Sequence, residues 1–473
     1  MADTAQATSV GNPMLPSEIL QRITDAGGSR VVLVVGAGVS MESPTNFRSG
    51  AYYSREAHRR LVNDGVLESG ECAEPDDLSV LAETVYAKHG SQKELTSRLP
   101  KDAWRTAAPN SGHLIAAALL LEGALHHVIS LNYDLAFQNA ITELGNSRSI
   151  TFVEGPDEHP NIGAHSVVYL HRSVNQDEET WVLRKTVLES EWESDWESVI
   201  AAANLAAPLV IFIGLGSPAK VLTESVARLA AKARSSYYLV DRNLETQFSD
   251  ALSTNLTGSV QLYWGEFMSK LARRVVSEQL QHLRDACEQL LWEQSDFAPG
   301  HIEDITEPLS EVDLVELGKA RSAWLLEAHS YSAEGDATRQ QHVAHLLLGL
   351  ERVTAALEAT SIELDTYGRF TFVTPQDARL ILGLAHGKGM KSWAAISTRV
   401  RERNQGLAPQ YRTSTVVVAG ARATGDFKVD DLVREDTTGD LIRGADTLHP
   451  IFVDEFLSDP TSDLKSAAER VLK

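Results

Sequence analysis

The stretch VVLVVGAGVSMESPTNFRSG (residues 31–50) gives the first clear signal of fold and function. Its opening run, Val31–Val35, is aliphatic throughout, which predicts a strand buried on both faces of a sheet. The strand leads into Gly36, Ala37 and Gly38, whose small side chains would let a phosphate group approach the backbone. A tight turn after a strand needs the same glycines, so this motif alone leaves both interpretations open.

Apolar runs with strand character recur along the chain, and helical patterns lie between most of them. The predicted strands are 127–131, 150–153, 167–170, 208–213, 237–240 and 260–263, and the predicted helices are 18–25 with Ser17 as its cap, 54–64, 74–89, 111–123, 195–206, 221–233 and 266–293. Strands that alternate with helices favour an α/β fold, a Rossmann-like, mainly parallel sheet covered by helices on both faces.

Glycine or a polar residue comes just after five of the predicted strands. These residues are Gly36, Asn132, His171, Gly214 and Asp241. Ligands of parallel sheets bind at the carboxyl ends of the strands, so we expect these residues to share one site. Taken singly, an Asn at a strand end is often a turn residue and a His there is often a buried structural group. Four other histidines are interpreted as structural: His113, His126, His127 and His165.

The composition limits the range of partners. The 473 residues include 43 basic and 65 acidic side chains, a formal net charge of -22, which argues against direct binding to nucleic acid or an anionic membrane. The chain has two cysteines, Cys72 and Cys287, too few for a disulfide framework or a four-cysteine zinc site. Residues 1–14 lack the pattern of a signal peptide and are expected to be disordered, so a cytoplasmic protein is predicted.

A chain of this length suggests two or three domains. Pro299-Gly300 marks a predicted linker, so the expected domains are 15–295 and 300–473. The second domain is predicted to be mainly helical α+β, with a role in oligomerisation or partner binding. Its predicted elements are helices at 313–328, 342–358 and 376–385, a strand at 413–418 and an apolar segment at 451–456.

Six motifs, in order, resemble those of the sirtuin (Sir2) family. Gly36-Ala37-Gly38-Val39-Ser40 with Asn46-Phe47-Arg48 resembles the family's GAGxS and DFR elements (with Asn for Asp), and Pro109-Asn110 with His113-Leu114 resembles PNxxHxxL. Leu131–Asp134 is similar to QNID, Tyr169–His171 to the strand before the catalytic histidine, Ile213–Ser217 to the second glycine-serine turn, and Leu239–Asn243 to a late strand with a polar tip. The resemblance covers residues 31–243.

This resemblance implies an NAD-binding domain in which a helical insertion covers the nicotinamide end of the ligand. It implies that Asn132 and His171 are catalytic. The residues that it assigns to NAD+ binding are Gly36, Ala37, Gly38, Ser40, Phe47, Arg48, Asp134, Gly214, Gly216, Ser217, Asp241 and Asn243. For several of these, local roles stay open: Arg48 could stabilise its loop, Asp134 could brace Asn132 or cap a helix, and Asp241 and Asn243 could form a turn.

The chemistry that these residues suit is cleavage of the bond between nicotinamide and ribose. Nicotinamide leaves as a neutral molecule, so no general acid is needed, and the enzyme must stabilise an oxocarbenium-like ribose and direct a nucleophile to C1′. Asn132 offers an amide that does not titrate, and His171 can accept a proton from a ribose hydroxyl or a water.

Family members that deacylate proteins carry a four-cysteine zinc ribbon, which two cysteines cannot form. The resemblance is therefore to the zinc-less branch of bacterial anti-phage effectors, which implies an NAD+ glycohydrolase gated by homo-oligomer assembly or a partner. An ATPase of the HerA type is the favoured partner, and a short Argonaute is the alternative. An NAD-dependent protein deacylase and a non-catalytic NAD or ADP-ribose sensor remain as other hypotheses.

Overall fold

The structure of the protein is a computed structural model. It describes residues 15–25, 30–144, 150–163, 165–190, 195–216, 223–224, 226–227, 234–293 and 313–315, together with five strands after residue 360. The chain divides into two compact units, with the main boundary between Arg274 and Val275. The predicted disordered segment, residues 1–14, lies outside the described residues.

The first unit is built on a parallel sheet of seven strands. They are β1 (Val31–Val35), β2 (His127–Ser130), β3 (Thr151–Val153), β4 (Ser166–Tyr169), β5 (Leu209–Ile213), β6 (Ser236–Val240) and β7 (Gly258–Val260). Their order across the sheet is β3-β4-β2-β1-β5-β6-β7, and every neighbouring pair is parallel. The predicted Rossmann-like α/β fold is confirmed. Strand β1 is central. The chain first forms β2, β3 and β4 on one side of it and then β5, β6 and β7 on the other, so the direction in which strands are added reverses beside β1.

Helices connect the strands. They are α1 (Ser17–Thr24), α2 (Gly50–Asn63), α3 (Leu78–His89), α4 (Lys93–Thr96), α5 (Lys101–Arg105), α6 (Ser111–Leu121), α7 (Ala136–Glu143), α8 (Lys185–Ser190), α9 (Asp195–Leu205), α10 (Gln247–Leu252) and α11 (Trp264–Glu293). Helices α2–α5 form the predicted insertion after β1. Of the predicted helix 221–233, residues 223–224 and 226–227 are described and are helical. None of the described helices is both long enough and apolar enough to span a bilayer.

Several predicted boundaries were wrong, because local capping decides where a helix begins. Pro16 occupies the cap position of α1 and Ser17 is its first helical residue, so Ser17 is not the cap. Helix α2 starts at Gly50 because the Ser49 hydroxyl accepts a hydrogen bond from the amide of Tyr52 at 3.3 Å. Helix α3 starts after its cap, Asp77, and not at residue 74. Strand β7 ends at Val260, where the predicted strand was to begin.

The described part of the second unit after residue 360 is a five-stranded mixed sheet. Its strands are β8 (Ser361–Leu364), β9 (Phe370–Val373), β10 (Arg379–Ala385), β11 (Thr415–Gly420) and β12 (Thr447–Phe452), in the order β12-β11-β10-β9-β8. The predicted helix 376–385 is wrong over β10. A short apolar run of this kind is compatible with a helix or with a strand. The strand forms here because β10 pairs with β9 on one side and with β11 on the other. The predicted helix 342–358 and nearly all of 313–328 lie outside the described residues.

The core of the first unit surrounds the central strand. All five side chains of β1 are fully buried, as a parallel strand covered on both faces requires. The rings of Phe212 on β5 and Tyr237 on β6 stack, with their centroids 6.3 Å apart. Complete burial of one such aliphatic side chain stabilises the fold by roughly 1.5–3 kcal/mol. Burial of the β1 side chains therefore helps to fix the position of the loop that follows this strand.

Three of the histidines interpreted as structural lie together at the amino end of the sheet. The ring centroids of His126 and His127 are 3.9 Å apart, and those of His126 and His165 are 6.2 Å apart. Burial lowers the pKa of His127 to about 3, with smaller contributions from the two neighbouring histidines and Arg30. Since His127 begins β2, the cluster lies at the opposite edge from Asn132 and His171.

Candidate functional site

A single row of paired residues crosses the carboxyl edge of the sheet. Val240 pairs with Ile213, Ile213 with Val35, Val35 with Ser130, and Ser130 with Tyr169. These residues are the last of five strands, so the loops that follow begin at the same level. The register therefore decides which loop residues can meet.

The sequence-predicted residues follow this row immediately. Gly36, Gly214 and Asp241 come one residue after it, and Asn132 and His171 come two residues after it. Strands β2 and β4, which carry the Asn and the His, are direct neighbours, and neighbouring strands lie about 4.8 Å apart. The fold thus brings these five residues to one edge.

The loops after β1 and β5 touch backbone to backbone. The amide of Gly38 donates to the carbonyl of Gly214 at 3.0 Å, and the amide of Gly36 donates to the carbonyl of Ile213 at 3.0 Å. A Cβ atom on Gly38 would lie 2.7 Å from the Cα atom of Gly214, and a Cβ atom on Gly36 would lie 2.7 Å from the carbonyl oxygen of Gly214. Gly214 itself has a φ of 67°, a conformation that favours glycine. The glycines therefore have a steric role whether or not a phosphate binds there.

Asn132 is held in one orientation by protein acceptors. Its Nδ2 donates to the carbonyl of Gly36 at 3.1 Å and to the hydroxyl of Ser40 at 3.3 Å. The Ser40 hydroxyl in turn donates to Oδ2 of Asp134 at 2.9 Å. Because both hydrogens of the amide are used by these acceptors, its oxygen is the atom left to accept a hydrogen bond.

Asp134 fulfils both local roles that its position suggested. Besides accepting from Ser40, it accepts from the amide of Ala136 at 3.1 Å, at the start of α7. Burial raises the pKa of Asp134, although these hydrogen bonds oppose the shift. The residue is 6% exposed and its carboxylate is already hydrogen-bonded, so Asp134 supports the site through Ser40.

His171 is a buried polar residue at this edge. The residue is 8% exposed, and its Nε2 has no hydrogen-bond partner among the described residues. Burial lowers the pKa of His171 to about 4; the charge of Arg172 adds to the shift, and a hydrogen bond with the Leu131 backbone opposes it. The imidazole is therefore neutral at pH 7, the state in which it can accept a proton.

Phe47 and Arg48 lie in the loop before α2. The amide of Phe47 donates to the carbonyl of Ser40 at 2.9 Å, which closes the loop over the glycine turn. The guanidinium of Arg48 lies 5.9 Å from the ring centroid of Tyr52, and its amide donates to the hydroxyl of Tyr53 at 3.2 Å. Arg48 thus supports its loop, and contact with a phosphate stays a prediction.

The remaining predicted residues follow β5 and β6. Asp241 accepts from the amide of Asn243 at 2.9 Å, and Asn243 accepts from the amide of Glu245 at 3.1 Å, so both side chains form turns. A Cβ atom on Gly216 would lie within 4 Å of no atom of the described residues. Ser217 lies outside the described residues, and binding of a ribose by Asp241 or Asn243 stays a prediction.

One residue that connects the site to its surroundings was not among the predicted site residues. Asn110 is fully buried, and its Nδ2 donates to the carbonyl of Val39 in the glycine turn at 2.8 Å. Its Oδ1 accepts from the amide of His113 at 3.2 Å and from the indole of Trp264 at 3.0 Å. The sequence carried a signal for this role, because Asn110 stands at the cap position of α6.

The described residues contain no group of three or more His, Cys, Asp or Glu side chains that could hold a metal ion.

No protein-family model matches the sequence, and no curated protein matches it. Among solved structures, the chain is similar to a mutant Sir2 homologue in complex with ADP-ribose (20% identity, TM-score 0.31), with 56% of this chain and 97% of that chain covered. It is also similar to a Sir2 homologue–NAD complex (18% identity, TM-score 0.32), with 56% and 95% covered. A structure described as the basis for the mechanism and regulation of Sir2 enzymes has 15% identity and a TM-score of 0.30, with 55% and 98% covered.

The glycine contact at this edge predicts a difference between two alanine variants. Gly38→Ala should lower the free energy of unfolding by about 1–3 kcal/mol, because its Cβ would overlap Gly214. Gly216→Ala, whose added Cβ would lie within 4 Å of no atom of the described residues, should change it by less than about 0.5 kcal/mol. Urea denaturation of both variants measures the difference, and equal stabilities would contradict the proposed contact.

Proposed function

We propose that the protein is an NAD+ glycohydrolase that releases nicotinamide and ADP-ribose. The observation that carries the proposal is the position of two side chains just past the ends of neighbouring strands: an oriented amide, Asn132, and a buried neutral imidazole, His171, whose Nε2 is unpartnered among the described residues. The ordered sirtuin-like motifs around these residues support the choice of NAD+ as substrate.

Each group has a role in this reaction. The glycine turn at Gly36–Gly38 would hold the pyrophosphate, since small residues let it approach the backbone. The amide oxygen of Asn132 would accept a hydrogen bond from the attacking water or from a ribose hydroxyl. Because the amide does not titrate, this contact would not change with pH. His171 would accept the proton released as the water attacks C1′. The buried position of both side chains strengthens their electrostatic effect on the oxocarbenium-like ribose.

Replacement of either residue provides the direct test. In an assay of fluorescence release from etheno-NAD, Asn132→Ala and His171→Ala should each lower kcat at least ~10²-fold, because each removes a group that acts in the transition state. His89→Ala, at an exposed position on α3, is the matched control and should keep full activity. A wild-type chain that requires an acetylated peptide and yields O-acetyl-ADP-ribose would identify a deacylase instead. Binding of NAD+ without turnover under any condition would identify a sensor.

The lowered pKa of His171 predicts the acid limb of the pH profile. Below its pKa the imidazole is protonated and cannot accept a proton, so kcat/KM should fall only as the pH decreases through about 4. Initial rates between pH 7 and pH 3.5, with activity re-measured after return to pH 7, separate titration from acid unfolding. An acid limb centred near pH 6.5 would contradict the proposed environment of His171.

We further propose that the activity depletes NAD+ in anti-phage defence and is gated by homo-oligomer assembly or by a partner of the HerA type. An unrestrained NADase would deplete the cell that makes it, so the idle chain needs a restraint. Specific activity should therefore rise with protein concentration or on addition of the partner. Full activity that stays constant over a hundredfold dilution of the isolated chain would make gating wrong.

A further inference from the structure

A segment that follows His171 contacts both candidate catalytic loops. We call residues 173–183 the strap. The amide of Val182 donates to the carbonyl of His171 at 3.3 Å, and the carbonyl of Val182 accepts from the hydroxyl of Tyr133 at 2.9 Å. The amide of Val174 donates to the carbonyl of Tyr133 at 2.8 Å. Since Tyr133 directly follows Asn132, the strap holds the backbone next to both residues.

The other side of the strap is bound to the helical insertion. The carboxylate of Glu178 accepts from the hydroxyl of Thr96 at 2.5 Å and forms an ion pair with Lys101. The side-chain amide of Gln92 donates to the carbonyls of Glu178 and Trp181, the latter at 3.1 Å. These partners belong to α4, α5 and the residue that precedes α4.

An aromatic cluster connects the strap, the loop after β2 and the helical insertion. Trp181 of the strap stacks on Tyr133 at a centroid distance of 4.9 Å, and Trp104 of α5 stacks on Tyr133 at 5.8 Å. Tyr53 of α2 contacts the edge of Trp104 at 5.7 Å. The indoles of Trp104 and Trp181 are almost completely buried. Stacked, buried rings of this size resist independent movement of the parts that carry them.

From these contacts we propose that the strap couples the helical insertion to Asn132 and His171, with Glu178 as a positioning residue. Glu178 joins the strap to two helical segments of the insertion, and Val182 joins it to both catalytic loops. A displacement of the insertion is transmitted to the two reacting groups together. The proposal deepens the proposed NAD+ hydrolysis and rests on it for the kinetic part of its test.

Kinetics of two variants test the coupling. Glu178→Gln removes the negative charge that pairs with Lys101, and Tyr133→Phe removes the hydroxyl bond to Val182 while it keeps the aromatic stack. Each should lower kcat for NAD+ about tenfold, with KM unchanged within about twofold, because misplacement of reacting groups affects the transition state more than binding. Asp64→Asn is the matched control, since it breaks an ion pair with Arg98 inside the insertion but away from the strap.

Hydrogen exchange gives a second readout that needs no activity. Glu178→Gln should speed amide exchange in residues 131–134 and in 171–174, and should leave the core strand Leu209–Ile213 unchanged. Unchanged kcat in both variants, an equal loss in Asp64→Asn, or faster exchange confined to residues 176–182 would overturn the proposal. If the wild-type chain does not hydrolyse NAD+, the proposed function fails, while the exchange pattern still decides whether the strap couples the insertion to the site.

Discussion

The contact between the loop after β1 and the loop after β5 is the constraint on which the site depends. Gly38 and Gly214 share a backbone hydrogen bond of 3.0 Å, and neither position has room for a side chain. The contact exists because β1 and β5 are neighbours that end at the same level. It fixes Gly36, whose carbonyl then accepts from the amide of Asn132 at 3.1 Å. The orientation of the candidate catalytic amide thus follows from a steric condition at the centre of the sheet.

Hydrogen bonds between buried polar groups connect this contact to the surrounding residues. Ser40 links Asn132 to Asp134, and Asn110 links the glycine turn to α6 and to the indole of Trp264. Such groups are costly to bury unless they are hydrogen-bonded, so a satisfied network favours one arrangement of the loops. His171 also has a buried ring nitrogen without a partner among the described residues, as do His113, His127 and His165, and it differs from them in lying just past the end of β4, at the level of Asn132. That position is the reason to expect His171, and not the other three histidines, to act on a ligand.

The sequence predicted the first unit well because its signals are local. Runs such as Val31–Val35 identify buried strands, and residues just after them identify the carboxyl edge, so Asn132 and His171 could be placed together without any structure. Helix starts were less accurate, since single capping residues such as Ser49 decide them. The helix predicted over β10 was wrong because strand pairing with distant segments overrode local preference. The strap was not predictable, since Gln92 and Trp181 are 89 residues apart in the chain.

The central claim is that the carboxyl edge beside β1 binds NAD+ with its nicotinamide ribose between Asn132 and His171. A crystal structure of the His171→Ala variant with NAD+ tests it most directly, because the loss of the proton acceptor should preserve the substrate. The account predicts the pyrophosphate against Gly36–Gly38 and a ribose hydroxyl or a bound water within hydrogen-bond distance of the Asn132 amide oxygen. NAD+ bound at another surface, or absent at saturating concentration, would contradict the account.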